Sequence, residues 1–263
     1  MNLNLKGKKA LITASSQGLG YATALKLAEE GCNVVLNSRT ETSLRQAAER
    51  IRETTGVTVG AIAGDITDPQ FPEKLVSKAA GMLGGLDLLV TNAGGPPAGA
   101  FESFDENTWQ HAIDLSFLSH VRTIRAALPY LRKSGTASVL TITSYSVKQP
   151  IPNLILSNSI RGATIGLTKT LALELGGEGI RFNSILPGWT KTERVTQLMK
   201  ARATANHTSV EDEIKKQMAA SPLRRMATPE EFANAAVFLL SPAASYITGV
   251  MLTVDGGMYK GTY

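Results

Sequence analysis

The sequence predicts a single α/β domain of three layers, in which helices cover both faces of a doubly wound, mostly parallel β-sheet. Short apolar segments rich in β-branched residues alternate with segments of helical period along the whole chain, a pattern typical of parallel sheets. The 263 residues contain no internal repeat, no block of like charge and no Pro-, Gly- or Ser-rich linker that would divide them into two domains. A composition of 43% hydrophobic and 19% charged residues is ordinary for a globular protein and excludes disorder, collagen and coiled coil.

Seven segments predict β-strands, because each is short, apolar and bounded by turn or cap residues. In chain order they are residues 9–13, 33–36, 57–63, 86–90, 138–143, 180–186 and 250–254. Predicted helices lie between them at 21–30, 41–53 and 70–82, then in one long helix ending near Arg132, in a helix that carries residues 157 and 161, and from Pro229 onward.

Cap residues support three of these helices. Thr40 precedes the helix at 41–53, the segment 67–69 ends in a proline before the helix at 70–82, and residues 228–231 form a capping box with Pro229 at the first helical position. One segment lies outside the alternation of strands and helices, at residues 193–222. It is polar and of helical character, and we interpret it as a lid over a ligand cleft.

Charge, cysteine content and hydropathy narrow the class of protein. The formal charge of +5 is mild, and no basic and aromatic residues interleave, so we expect no nucleic-acid partner. Cys32 is the only cysteine, which excludes an intramolecular disulfide and a cysteine metal cluster and predicts a small buried side chain. The N-terminal residues lack the apolar core of a secretory signal, and turn residues interrupt the uncharged stretch 232–254, so we expect a cytoplasmic protein without a membrane span or a metal.

The first predicted strand leads into a glycine-containing loop, residues 13–20, and then into a helix. Glycines at such a turn let the backbone approach a pyrophosphate, which the N–H groups and the dipole of the helix N-terminus attract. The arrangement predicts a Rossmann-type dinucleotide site, although a tight strand-to-helix turn would explain two glycines equally well.

With this loop the sequence resembles the short-chain dehydrogenase/reductase family, and the resemblance covers nearly the whole chain. The family opens with Thr-Gly-x-x-x-Gly-x-Gly, which residues 13–20 match except that Ala14 replaces the first glycine. Further matches are an acid after the third strand, an Asn-Ala-Gly turn after the fourth and an Asn-x-x-x-Pro-Gly-x-x-x-Thr segment at residues 183–192. The last part of the chain, residues 222–257, is similar to the 3-oxoacyl-carrier-protein reductase branch.

The resemblance implies a set of cofactor-binding residues on the strand ends. The second strand ends in Asn37-Ser38-Arg39 without the acid that would repel a 2′-phosphate, so we expect NADP(H) to be preferred over NAD(H). Each position also has a structural interpretation, such as a surface role for Arg39 or a capping role for Asp65. The implied residues are Ser15, Ser16, Gln17, Gly18, Leu19, Gly20, Ser38, Arg39, Asp65, Ile66, Asn92, Ala93, Gly94, Arg161, Pro187, Gly188, Thr190 and Thr192.

The catalytic positions implied by the resemblance depart from the family pattern. The family uses a serine, a Tyr-x-x-x-Lys pair and an asparagine; Ser144 matches the serine, whereas Ser157, Arg161 and Ser116 stand at the other three positions. Residues 157 and 161 are one helical turn apart and share a face. Serine does not titrate near neutrality and arginine is a permanent donor, so the pair binds and orients but relays no proton. Tyr145 offers the missing hydroxyl, or packs beneath its loop with Lys148 in solvent.

Two functions follow from these observations. The first is an oxidoreductase that passes a hydride between NADP(H) and a small carbonyl or alcohol substrate; the alternative is a protein that binds the cofactor without turnover. The resemblance also implies a homo-oligomer, a dimer or tetramer, formed through the helices after the fourth and fifth strands. We expect His111 and His120 to lie on the surface or at an interface, and His207 in the solvated part of the lid.

Overall fold

The computed structural model describes residues 1–262 and places seven strands in one parallel sheet. The strand order is β3-β2-β1-β4-β5-β6-β7, so the chain winds outward from β1 to one edge and then returns to build the other half from β4. The strands are β1 (Lys9–Ile12), β2 (Asn33–Ser38), β3 (Val59–Ala63), β4 (Leu88–Thr91), β5 (Ser138–Ile142), β6 (Arg181–Pro187) and β7 (Met251–Val254).

Helices form a layer on each face of the sheet. On one face α1, α2 and α9 bury Leu27, Leu44 and Phe232 against the strands, and on the other α3 and α5 bury Leu75 and Ile124. This arrangement confirms the predicted three-layer, doubly wound fold. The helices are α1 (Gly18–Glu29), α2 (Glu41–Thr55), α3 (Phe71–Leu83), α4 (Glu106–Ile113), α5 (Ser119–Leu131), α6 (Ile155–Leu175), α7 (Glu193–Asn206), α8 (Val210–Ala219) and α9 (Pro229–Leu240).

Where the sheet reverses its winding, between β1 and β4, the loops at the carboxyl ends of the two strands separate. Open α/β sheets bind ligands at this point, because helices leave neighbouring strands toward opposite faces and a crevice remains. The segment that we predicted as a lid forms α7 and α8, and a cluster that includes Trp189, Met199 and Met218 packs beneath them.

The long helix predicted to end near Arg132 is divided. A π-helical turn at Asp114–Leu118 separates α4 from α5. The Thr164 hydroxyl of α6 donates a hydrogen bond of 2.7 Å to the Ser116 carbonyl, and the Ser119 hydroxyl donates one of 2.6 Å to the Leu115 carbonyl. Side chains that take backbone carbonyls in this way loosen the regular helical ladder. The pattern of apolar residues continues through the turn and therefore did not predict it.

Two predictions about single side chains have opposite outcomes. Cys32 is fully buried, its thiol donates to the Leu5 carbonyl at 3.3 Å, and burial raises its pKa to about 12, which agrees with a structural thiol. The surface position expected for His120 is wrong: its side chain is 1% exposed and both ring nitrogens lack a hydrogen-bond partner among the described residues. His120 lies two residues after the π turn, within range of the charge of Arg161 on α6.

No helix in the part of the chain that the structure describes is long and apolar enough to cross a membrane. Residues 1–262 also contain no group of three or more His, Cys, Asp or Glu side chains placed to hold a metal ion.

The backbone of Ala14 leads to a first prediction. Its φ of 46° lies in the left-handed region, which costs a residue with a Cβ more than it costs glycine. We expect Ala14→Gly to raise the free energy of unfolding by about 1 kcal/mol in urea titrations. Ala22→Gly, inside α1, should lower the same quantity by about 1 kcal/mol. A lower free energy of unfolding in Ala14→Gly would contradict the inferred backbone strain at Ala14.

The buried imidazole of His120 leads to a second prediction. Burial, with a smaller contribution from Arg161, lowers its pKa to about 3, whereas an unfolded histidine titrates near 6.5. Between these values the unfolded chain binds a proton that the folded chain does not, so stability falls as the pH is lowered from about 6.5, by up to ~1.4 kcal/mol per unit. His120→Leu should flatten this slope in urea unfolding between pH 6.5 and 4.5. His111→Leu, at an exposed position, is the control and should retain it.

Candidate functional site

A cavity of about 740 Å³ opens at the carboxyl ends of the strands, bounded by the loops after β1 to β6 and by α7. It brings together most of the predicted site residues, although they lie far apart in the chain. Three predicted residues, Ser15, Gly20 and Ser116, do not line it. Those that do are Ser16, Gln17, Gly18, Leu19, Ser38, Arg39, Asp65, Ile66, Asn92, Ala93, Gly94, Ser144, Tyr145, Ser157, Arg161, Pro187, Gly188, Thr190 and Thr192.

Hydrogen bonds between β1 and β4 hold the loop after β1 in place. The Thr13 hydroxyl donates to the Asn92 carbonyl at 2.7 Å, and the Asn92 amide donates to the Ala14 carbonyl at 3.1 Å. A Cβ on Gly20 would lie 2.4 Å from that same carbonyl, so only glycine fits where α1 passes the loop. Ser15 bonds the backbone of β1 and β2 instead of facing the cavity. Gly20 and Ser15 therefore shape the site without lining it.

The N-terminus of α1 faces the cavity with its first N–H groups free of side-chain caps. Gln17 is the N-cap residue and its side chain accepts no hydrogen bond from the helix. Uncapped N–H groups and the helix dipole form a binding site for an anion such as a pyrophosphate. The residues of this loop fit the dinucleotide that the sequence predicts.

At the ends of β2 and β3, Arg39 is exposed at the cavity wall. The Ser38 hydroxyl donates to the Thr40 carbonyl at 3.3 Å. One carboxylate oxygen of Asp65 accepts from the backbone N–H and the hydroxyl of Thr67, at 2.9 and 2.8 Å. Asp65 thus stabilises its own turn and does not cap α3, whose N-cap residue is Gln70, while it also borders the cavity.

On the opposite wall, Ser144, Ser157 and Arg161 lie at the end of β5 and on α6. The Arg161 side chain is buried, and its Nη1 donates to the carbonyls of Ile142 and Thr143 at 3.1 and 3.2 Å. Burial, and then the charge of Arg194, lowers its pKa to about 10. The guanidinium therefore remains a cation at neutral pH, placed next to the strand end that leads into Ser144.

The two remaining catalytic candidates are both buried. Ser116 has a hydroxyl without a partner among the described residues, and its carbonyl is already bonded by Thr164, one turn beyond Arg161. Tyr145 is 6% exposed, packs against Trp189 and its cluster, and has its pKa raised by burial. These contacts agree with Tyr145 packing beneath the loop. Lys148 lies over the ring of Tyr259, 5.2 Å from its centroid.

Sequence reasoning predicted a lid at 193–222 but missed the part that Arg194 of α7 plays in the cavity. Arg194, in the first turn of α7, donates from Nη2 to the Pro96 carbonyl at 2.6 Å, across the cavity mouth. A Cβ on Gly95 would lie 2.9 Å from its Nε, so glycine leaves room for the guanidinium. No pattern in residues 193–222 pointed to Arg194, because its partner lies 98 positions earlier in the chain. His207 begins the link to α8 and is exposed, as expected.

Comparison with known proteins places this geometry in a family. The family model described as enoyl-(acyl carrier protein) reductase matches residues 13–259. Human dehydrogenase/reductase SDR family member 4 is 34% identical over 254 residues, covering 96% of this chain and 88% of the relative. The uncharacterized oxidoreductase YvrD of Bacillus subtilis is 33% identical over 265 residues, covering 99% of each chain.

Solved structures agree with these relatives. L-sorbose reductase from Gluconobacter frateurii, complexed with NADPH and L-sorbose, superposes with a TM-score of 0.94 at 33% identity, covering 99% of this chain and 100% of that one. An actinorhodin polyketide ketoreductase with NADPH superposes with a TM-score of 0.92 at 28% identity, covering 97% and 98%. With its sheet order, its glycine loop and these relatives, the chain belongs to the short-chain dehydrogenase/reductase family of oxidoreductases.

Proposed function

We propose that this protein is an NADP(H)-dependent oxidoreductase that transfers a hydride between the nicotinamide and a carbonyl or alcohol group of a small molecule. The observation that carries the proposal is that one cavity joins the uncapped N-terminus of α1 to Ser144, Ser157 and Arg161. The NADPH complexes of two structural relatives support the same cofactor. The 3-oxoacyl-carrier-protein reductase branch stays a prediction within this function.

In this proposal the residues of the glycine loop and the strand ends bind the dinucleotide, which supplies the hydride when bound. Backbone N–H groups at Gly18 and Leu19 hold the pyrophosphate. Arg39 and Ser38 bind the 2′-phosphate. Asn92 orders the loop through the Ala14 carbonyl. Thr190 lines the cavity with a buried hydroxyl that has no partner among the described residues, and Pro187, Gly188 and Thr192 border the same wall.

The same proposal gives each catalytic position a role that its chemistry permits. Ser144 holds the substrate oxygen and Ser157 donates a second hydrogen bond to it or to a water molecule. The Arg161 cation, fixed by two backbone carbonyls, grips the nicotinamide ribose and stabilises negative charge that develops on the oxygen. Since burial raises the pKa of Tyr145, water or the substrate itself is the better source of the proton.

A second function, cofactor binding without turnover, is favoured by the same residues. Ser157 and Arg161 supply hydrogen bonds and charge but no group that exchanges a proton near neutral pH. In that case occupancy by NADP(H) would set the position of α7 and α8, which we propose to act as the lid, and would thereby control binding of a partner.

We also propose a homo-oligomer in the cytoplasm, formed in part through α6. On α6, the helix that follows the fifth strand, Ile160 is buried in the core whereas Ala163 is exposed. The outward side of α6 combines Ala163, Gly162 and Gly166 with Leu173, whose side chain is 76% exposed. Small residues beside an exposed leucine suit close packing against a second copy.

The cofactor proposal predicts that Arg39→Ala selectively weakens the binding of the phosphorylated dinucleotide. Loss of a guanidinium that binds the 2′-phosphate should raise the NADPH dissociation constant about tenfold or more and leave that of NADH within about twofold. Fluorescence titration at two salt concentrations measures both constants, and the salt dependence for NADPH should fall. Arg45→Ala, on the exposed part of α2, is the control. Unchanged NADPH binding in Arg39→Ala would contradict the assignment.

The hydride-transfer proposal predicts NADPH oxidation by the native chain with ketones, aldehydes or 3-oxoacyl thioesters. Spectrophotometric assay with the double variant Ser157→Tyr and Arg161→Lys, which restores the family's acid and its partner, provides the comparison. We expect turnover by the native chain and, because a titratable proton donor is added, a rate increase of about 10²-fold in the double variant. Tight NADPH binding with turnover confined to the double variant would instead support the cofactor-binding function.

A further inference from the structure

Besides the exposed Arg39, two less exposed arginines line the cavity, Arg161 on α6 and Arg194 on α7. Neither Arg161 nor Arg194 forms a salt bridge within residues 1–262. Arg161 is buried, Arg194 is half-buried, and the charge of Arg194 acts on Arg161 through space. Two cations that repel each other therefore border the same cavity.

Within the described residues, neither acid that lines the cavity forms a salt bridge with these arginines. Asp65 lies at the end of β3 and accepts hydrogen bonds from Thr67. Glu193 is exposed and accepts a hydrogen bond from Gln197 at 3.4 Å. A buried cation without a counter-charge is costly for the folded protein, and a bound anion removes much of that cost. A ligand that brings negative charge to these arginines would therefore be stabilised there.

Both guanidinium groups retain donors for such a ligand. Arg161 bonds the Ile142 and Thr143 carbonyls through Nη1 alone, and Arg194 bonds the Pro96 carbonyl through Nη2. A guanidinium carries five N–H donors in a planar fork that matches the two oxygens of a carboxylate. Backbone carbonyls thus fix the orientation of each fork, and the other N–H groups make no hydrogen bond within the described residues.

The two arginines lie toward the substrate side of the cavity. Arg161 is bonded to the residue before Ser144, and it is one helical turn from Ser157. Arg194 reaches from the lid to the loop at Gly95 and Pro96. The uncapped N–H groups of α1 supply a separate place for the pyrophosphate of the cofactor.

We propose that Arg161 and Arg194 form an anion subsite that binds the carboxylate of the substrate, so that the protein acts on small oxo acids or hydroxy acids. Arg161 then divides its remaining N–H donors between this carboxylate and the nicotinamide ribose. The proposal rests on the hydride-transfer function and specifies its substrate class. Arg194 belongs to α7, so the bound carboxylate also links the lid to α6. Hydride is added to the carbonyl carbon, the oxygen takes a proton from water, and the carboxylate stays unchanged throughout.

The pyrophosphate of NADP(H) is the other anion that these arginines could bind. A binding experiment distinguishes the pyrophosphate from a substrate carboxylate. Protein saturated with NADP⁺ is titrated by calorimetry with acetoacetate and, separately, with its neutral methyl ester. Because NADP⁺ has no hydride to give to a ketone, the titration measures binding alone. Arg194→Gln removes one fork, and Arg194→Lys keeps the charge but not the fork. Lys200→Gln removes an exposed charge from the same helix and is the control.

We expect Arg194→Gln to weaken acetoacetate binding about tenfold to a hundredfold, since a hydrogen bond to a charged group contributes about 1.5–3 kcal/mol. The affinity of Arg194→Lys for acetoacetate should fall between those of the native chain and Arg194→Gln. Lys200→Gln should bind acetoacetate like the native chain. Binding of the ester and of NADPH should change less than about twofold in every variant. Thermal unfolding confirms that each variant is folded.

Two results would overturn the subsite. In the first, Arg194→Gln weakens the binding of NADPH and leaves the binding of acetoacetate unchanged, which assigns the arginine to the cofactor. In the second, Arg194→Gln weakens the binding of acetoacetate and of its methyl ester to the same extent. Failure of the hydride-transfer function looks different: acetoacetate binding depends on Arg194 as expected, yet NADPH is not oxidised by oxo acids. The subsite would then stand as the ligand site of a protein without turnover.

Discussion

The pairing of β1 with β2 on one side and with β4 on the other is the constraint on which the rest of the structure depends. Because both pairings are parallel, the chain must cross the sheet after β3, and the loops after β1 and β4 meet at the crevice that this crossing leaves. Hydrogen bonds from Thr13 and Asn92 then join the two loops, so the loop after β1 is held by the sheet itself. The position of the cavity follows from the strand order before any site residue is considered.

Much of this arrangement could be predicted from the sequence, because it depends on local patterns. Strand and helix segments, the loop at 13–20 and the positions of Ser144 and Ser157 are set by periodicity, caps and motif spacing, all of which are contained in neighbouring residues. α1 begins at Gly18, three residues earlier than predicted, and Gly18 itself has a φ of 60°. Boundaries of this kind depend on where the neighbouring loop packs.

What escaped prediction depends on contacts between distant parts of the chain. The π turn forms where Thr164 of α6 bonds the Ser116 carbonyl, and this contact belongs to neither helix alone. His120 is buried two residues after that turn. Arg194 lies against Gly95, where the absence of a Cβ leaves space for its guanidinium. The partners of the turn and of Arg194 lie 48 and 98 positions away, beyond any helical or strand period.

In the catalytic arrangement that we propose, Arg161 takes the place of the family lysine, and this exchange would change the electrostatics of the cavity as well as its acid/base chemistry. A lysine has an ordinary pKa near 10.4, so burial next to Arg194 would bring it toward losing its proton, whereas Arg161 keeps its charge with a pKa of about 10. The carbonyls at the end of β5 make its burial tolerable without an acid. Because no proton leaves this position, the positive charge is permanent and is available to a ligand. The exchange therefore weakens proton transfer and strengthens anion binding at the same point of the fold.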